Sequence, residues 1–306
     1  MLLAALTVLA LAAGPAAAAP TDTVASAGLR TGDRADRIGE TYPSPSRIEQ
    51  RMFNSETLGR TMPYFIYLPP GYDTSRRRYS VLYMLHGMGG SNTEWKGYNL
   101  FGTADSMIKA GEIAPLLIVL PQGDQSYWVD HANGGPKWGQ YTAEDVVAEI
   151  DANWGTVPDR DHRAIGGLSM GAHGALQLAM RYPDVFGTVG AHSPTLRDYE
   201  DSLDWFGPGL FGDAEWFSEH DPLSLVEAHP DVARRLTIWL DVGDGDLTWR
   251  PPVVDLHEHL TALGVPHQFH VLSGHHNGDD YWSVHSAEYL RFYNSALGGP
   301  TAPGIG

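Results

Sequence analysis

Cysteine is absent from all 306 residues. That absence removes disulfides, thiolate nucleophiles, zinc–thiolate sites and a lipid-bearing N-terminal cysteine together. It leaves the compartment open, because exported proteins can also do without cysteine. Basic residues are scarce: Lys and Arg number 20 against 37 Asp and Glu, a formal net charge of −17. An acidic surface repels nucleic acid and anionic membrane alike, so neither is an expected partner. A long run of Ala and Leu occurs only at 2–19, where Gly14 and Pro15 interrupt it and leave a poor membrane span. This run ends in Ala16-Ala17-Ala18-Ala19-Pro20 and lacks a positively charged lead. It reads as the apolar core and small-residue cleavage zone of a secretory signal, so a secreted protein, extracellular or periplasmic, is expected.

What remains suits one large domain. Hydrophobic residues make up 42% and aromatics 10%, ordinary for a globular chain with a sizeable core. No repeat or composition break divides it. The expected layout is signal 1–19, disordered linker 20–45 rich in Gly, Ser and Thr, domain 46–297, and flexible tail 298–306. Strands are expected at 48–55, 60–68, 80–85, 114–120, 162–168, 186–192, 236–242 and 267–272. Helices are expected at 101–110, 142–154, 170–181, 222–235, 253–263 and 282–297. Strands alternating with helices imply an α/β fold whose mostly parallel sheet carries helices on both faces. The stretch 197–220 has no clear period and carries Trp205, Phe206, Phe211, Trp216 and Phe217, as a small insertion covering a pocket would.

Gly167-Leu168-Ser169-Met170-Gly171 lies where a short apolar strand turns into a helix. A side chain at either glycine would collide with backbone at so tight a bend, and Ser169 is left at its tip. A serine hydroxyl needs a base, usually histidine oriented by a carboxylate. In this order of elements the acid and then the histidine follow the serine. Asp241, Asp244 and Asp246 sit at one strand end; Asp246 is favoured, Asp244 second, and Asp241 is expected within the strand. His275 and His276 sit at the next, with His276 preferred. Both histidines share a short loop with Asp279 and Asp280, but no remote ligand completes a metal site, so no metal is expected. His173 and His220 read as surface or hydrogen-bonded residues. For an oxyanion, the donors would be the N–H of Met170 at the helix start and that of Met88 in His86-Gly87-Met88-Gly89-Gly90.

Taken with Tyr67-Leu68-Pro69-Pro70-Gly71-Tyr72, Leu82-Tyr83-Met84-Leu85-His86-Gly87, Gly243 to Asp246, and Gly274 to His276 followed by Tyr281-Trp282, these motifs resemble one group. It is the esterase D-type branch of the α/β-hydrolases. That branch includes feruloyl and acetyl-xylan esterases, S-formylglutathione hydrolases, siderophore esterases and secreted mycolyltransferases. The resemblance covers roughly 48–297. It implies a nucleophile at Ser169, an acid at Asp246, a base at His276, oxyanion donors at Met88 and Met170, and no cofactor. This chain carries one residue more than usual between the histidine and Tyr281-Trp282.

The expected activity is hydrolysis of small aryl or carbohydrate esters by a monomer, with a small-molecule or polysaccharide ester as the partner. Acyl transfer to a sugar hydroxyl, as in mycolyltransferases, is the alternative. A non-catalytic binding protein on the same scaffold is a second. Trp95, Tyr127, Trp128 and Trp138 lie on loops after the strands at 80–85 and 114–120, and one or more is expected to face the cleft as a flat platform for substrate.

Overall fold

The computed structural model describes residues 42–299. The expected signal, most of the expected linker (20–41) and the last seven residues of the tail lie outside them. The linker's final residues are ordered: Ser44 O accepts the Gly71 N–H at 2.9 Å, and Tyr42 packs against the core. Gly298 and Gly299, expected in the tail, instead close the last helix through bonds to Ser295 O and Asn294 O.

Eight strands form one sheet. They are β1 (Arg47–Ser55), β2 (Arg60–Leu68), β3 (Val81–Leu85), β4 (Leu117–Pro121), β5 (Arg163–Ser169), β6 (Thr188–Pro194), β7 (Thr237–Gly243) and β8 (Gln268–Leu272). Their order is β1-β2-β4-β3-β5-β6-β7-β8. The first two strands form a hairpin in which β2 alone runs antiparallel to its neighbours β1 and β4, and β4, β3, β5, β6, β7 and β8 pair in parallel. Every residue of β3, β4, β5 and β6 is buried. Apart from Arg163 and His192, these strands are made of apolar or small residues, because helices cover both faces.

The main helices are α1 (Leu100–Lys109), α2 (Val147–Asn153), α3 (Met170–Arg181), α4 (Tyr199–Phe206), α5 (Pro222–Ala228), α6 (Arg250–Ala262) and α7 (Ser286–Ala296). Two expected helices differ. The one expected at 222–235 stops at Ala228, and Pro230 starts a separate turn, Pro230–Ala233. Proline has no N–H to give the previous turn, and its ring favours a first-turn position. The one expected at 142–154 begins earlier, at Trp138, and is wound as a π-helical turn over Tyr141–Val146 before α2. The insertion at 197–220 is helical, with α4 followed by the single turns Pro208–Phe211 and Ala214–Ser218.

Two apolar cores flank the sheet. One gathers Tyr83, Trp128, Tyr141, Ile165 and Leu178 on the face of α2 and α3. The other gathers Leu82, Trp95, Phe101, Tyr289 and Tyr293 on the face of α1 and α7. Parallel pairing brings the carboxyl ends of β3, β5, β6, β7 and β8 to one edge, where loops collect chemistry in such sheets.

Candidate active site

Ser169 is the last residue of β5 and caps α3, with φ 53° and ψ −117°. A non-glycine residue there is strained, and the surrounding bend has to hold it. The glycines allow the bend. A Cβ on Gly167 would lie 2.4 Å from the Gly171 carbonyl carbon, and one on Gly171 2.5 Å from Leu85 O. Strand, turn and helix therefore meet backbone to backbone, and Ser169 keeps about 9% of its surface exposed.

Asp246 follows β7 and His276 follows β8. His276 Nε2 lies 2.9 Å from Ser169 Oγ, and its Nδ1 lies 2.8 Å from Asp246 Oδ2. The second Asp246 oxygen accepts the Trp249 N–H at 3.0 Å. Burial works to raise the Asp246 carboxyl. The bonds from His276, the Trp249 N–H and Ser193, with the His276 charge, outweigh burial and hold it below the usual carboxylate value. An ionised Asp246 places the His276 proton on Nδ1 and leaves the Nε2 lone pair facing Ser169.

The neighbouring candidates go elsewhere. His275 is exposed and bonds Asp280 at 2.8 Å. Asp244 accepts the Gly274 N–H at 3.0 Å, tying the two loops together. Asp241 is fully buried in β7, as expected, with His192, Trp239 and Tyr281 around its carboxylate. His173 and His220, expected at the surface or hydrogen-bonded, are both buried, with Nδ1 bonded to backbone carbonyls at Thr195 and Trp216.

Around Ser169 the N–H groups sort themselves. In the loop after β3, Gly87 N–H donates to Glu94 at 2.7 Å, Gly89 N–H to Gln125 at 2.7 Å, and Gly90 N–H to Gly87 O at 3.1 Å. Among the described residues the Met88 N–H has no such partner. A Cβ on Gly87 would sit 3.4 Å from Ser169 Cβ, so this loop lies against the serine. The Met170 N–H begins α3, where first-turn donors have no intrahelical acceptor. Burial pushes Glu94 up from its usual value, against the lowering effect of the bonds from Gly87 and Tyr98.

The aromatic platform needs correcting. Trp95, Tyr127, Trp128 and Trp138 are 1%, 3%, 0% and 4% exposed, and none offers an open face to a cleft. They pack the strand ends instead. Trp95 Nε1 donates to Leu85 O at 2.9 Å and Trp128 Nε1 to His86 O at 3.2 Å, bracing consecutive carbonyls at the root of the Met88 loop. Tyr127 is wedged among His173, Phe206 and Phe211, and Trp138 lies under the Arg60 guanidinium. Buried indoles with a polar N–H need an acceptor, and strand-end carbonyls supply one.

One residue escaped the sequence reading. Ser193, in β6, is fully buried at φ 52°, and its hydroxyl donates to Asp246 Oδ2 at 3.0 Å while lying 3.0 Å from His276 Nδ1. Nothing in Ala191-His192-Ser193-Pro194 marks it, because its partners lie 53 and 83 residues away.

The sheet order, the strained Ser169 and the loops after β3, β7 and β8 define the α/β-hydrolase fold. Within that class the family model "Putative esterase" matches residues 55–292, and the chain belongs to this esterase family. The chain is 26% identical to the esterase Rv1288 of Mycobacterium tuberculosis over 270 residues, covering 78% of this chain and 58% of that protein. It thus spans little more than half the length of that relative. An endo-1,4-beta-xylanase/feruloyl esterase of Xylanibacter ruminicola is 33% identical over 156 residues, 47% of this chain and 21% of that one. Among solved structures, a ferulic acid esterase superposes with a TM-score of 0.73 at 25% identity, covering 83% of this chain and 99% of that chain.

Proposed function

We propose that this chain hydrolyses carboxylic esters through an acyl-enzyme on Ser169. The observation that carries the reading is the unbroken line of hydrogen bonds Asp246–His276–Ser169, at 2.8 and 2.9 Å, beside the Met88 N–H, which has no partner among the described residues, and the first-turn N–H of Met170. His276 Nε2 takes the Ser169 proton as Oγ bonds to the ester carbonyl carbon. The carbonyl oxygen becomes an oxyanion between the Met88 and Met170 N–H groups. Collapse breaks the carbon–oxygen bond to the alcohol, and the proton on Nε2 passes to that leaving oxygen. Water then repeats the sequence on the acyl group and frees Ser169 as the acid departs. Asp246 holds the ring and balances the imidazolium charge.

Small aryl or carbohydrate esters are the proposed substrates. The resemblance to feruloyl esterases supports this class, and the apolar run at 2–19 supports export to where such esters occur. A fluorophosphonate probe is expected to label Ser169, and Ser169→Ala to abolish labelling and lower kcat about 10⁴-fold or more on p-nitrophenyl acetate. Labelling of the Ser169→Ala protein at another serine would remove this mechanism.

A further inference from the structure

Between the insertion and the start of α6 lies a cavity of about 540 Å³, walled in part by Arg197, Asp198, Asp201, Phe217, Trp249 and Asp255. Three features set it apart from an ordinary surface fold. First, one of its walls connects it to the base: the Trp249 ring lies 6.0 Å from the His276 ring, and the Trp249 backbone N–H holds Asp246. Second, the Arg197 guanidinium stacks over two indoles, 4.5 Å from Trp249 and 4.8 Å from Trp205, and Trp205 is 70% exposed. Third, Arg197 forms no ion pair among the described residues, although four aspartates, Asp198, Asp201, Asp221 and Asp255, line the same cavity; its Nε is buried without an acceptor. Three of those carboxylates have local partners, with Asp198 accepting the Asp201 N–H to start α4, Asp221 accepting the Ser224 N–H to start α5, and Asp255 3.6 Å from His259 Nδ1.

We infer that this cavity is the subsite for the alcohol half of the ester, that its occupant is a neutral sugar ring, and that Arg197 and Trp205 determine this specificity. The inference rests on the Ser169 mechanism above, and the side follows from proton transfer. His276 Nε2 must reach the leaving oxygen, whereas the carbonyl oxygen turns toward Met88 and Met170, so the alcohol extends on the His276 side, past Trp249. The chemical class follows from the walls. The Trp249 indole in the wall, with the exposed Trp205 indole against Arg197 at its edge, matches the C–H face of a pyranose, the guanidinium N–H groups donate to ring and hydroxyl oxygens, and Asp201 and Asp255 accept from hydroxyls. Four carboxylates against one guanidinium leave the cavity negative, which disfavours an acidic sugar.

The test holds the acyl group fixed and varies the alcohol: acetate as its ethyl ester, as a mono-ester of a methyl pentopyranoside, and as a mono-ester of a methyl uronate glycoside. Wild type is expected to show a higher kcat/KM on the neutral sugar ester than on the other two. Arg197→Ala and Trp205→Ala are each expected to lower kcat/KM on the sugar ester about tenfold, mainly through KM, and to leave ethyl acetate within about twofold. Trp205 is exposed, so its variant keeps the test open if Arg197→Ala fails to fold. Equal rates on the three esters, or variants that slow ethyl acetate as much as the sugar ester, would overturn the subsite while fluorophosphonate labelling kept the Ser169 mechanism standing. Loss of labelling and of all ester turnover in wild type would remove both.

Discussion

At the scale of single residues, the site is a choice between neighbours. His275 and His276 are adjacent, yet only the His276 ring lies between Ser169 and Asp246; His275 faces solvent beside Asp280. His276→Ala is expected to lower kcat at least 10³-fold on an aryl acetate, while His275→Ala stays within about threefold. Asp246→Asn should likewise cost far more than Asp244→Asn, and steady-state kinetics on the four variants checks both pairs. Ser193 allows a sharper test. Its positive φ suits glycine better than serine, so Ser193→Gly removes the hydroxyl without adding backbone strain. If that hydroxyl positions the Asp246–His276 pair, kcat falls about tenfold at unchanged KM, while the melting temperature holds. The far-downfield Nδ1 proton resonance of His276 should also shift. An unchanged kcat would leave Ser193 a packing residue only.

At the scale of elements, the strand-to-helix bend and the Met88 loop depend on each other. Gly171 lets α3 lie against Leu85 O, and the carbonyls of Leu85 and His86 are held by Trp95 and Trp128. Trp128 itself sits against Gly174 of α3, where an added Cβ would come within 2.5 Å of its own Cβ. Trp128→Ala therefore removes a core residue and the brace under the Met88 loop together. The expected loss is about 3–5 kcal/mol of stability in urea unfolding. In the fraction that remains folded, kcat should drop more than KM rises. A raised KM with normal stability would instead mean that the ring contacts substrate. The sequence showed strands, helices and the GxSxG bend clearly, since buried runs and glycine punctuation are local signals. The π-helical turn before α2 and the break at Pro230 were less legible: the first depends on what packs around it, and the second on a lone proline inside an amphipathic stretch.

At the scale of the whole molecule, burial governs how the fold responds to acid. Burial holds His173 and His220 down to about 4 in the fold, against about 6.5 in an unfolded chain. Below pH 6.5 the unfolded chain takes up protons that the folded chain refuses. Stability from these groups is therefore complete above 6.5 and is lost as the pH falls toward 4, by up to about 3 kcal/mol for each. Melting curves between pH 7.5 and 4.5 should show this fall, and His173→Gln with His220→Gln should flatten it. An unchanged slope in the double variant would place the acid sensitivity elsewhere. The sequence by itself determined the parallel α/β order, the bend at Ser169, and acid and histidine candidates at successive strand ends, because glycine spacing, buried runs and loop positions are encoded along the chain. Only the tertiary structure decided which histidine and aspartate face Ser169, that Ser193 joins them, that Trp95, Tyr127, Trp128 and Trp138 are scaffold, and that Arg197 is stacked between Trp205 and Trp249. Those outcomes depend on side-chain directions and on contacts between distant strand ends, which no local pattern carries.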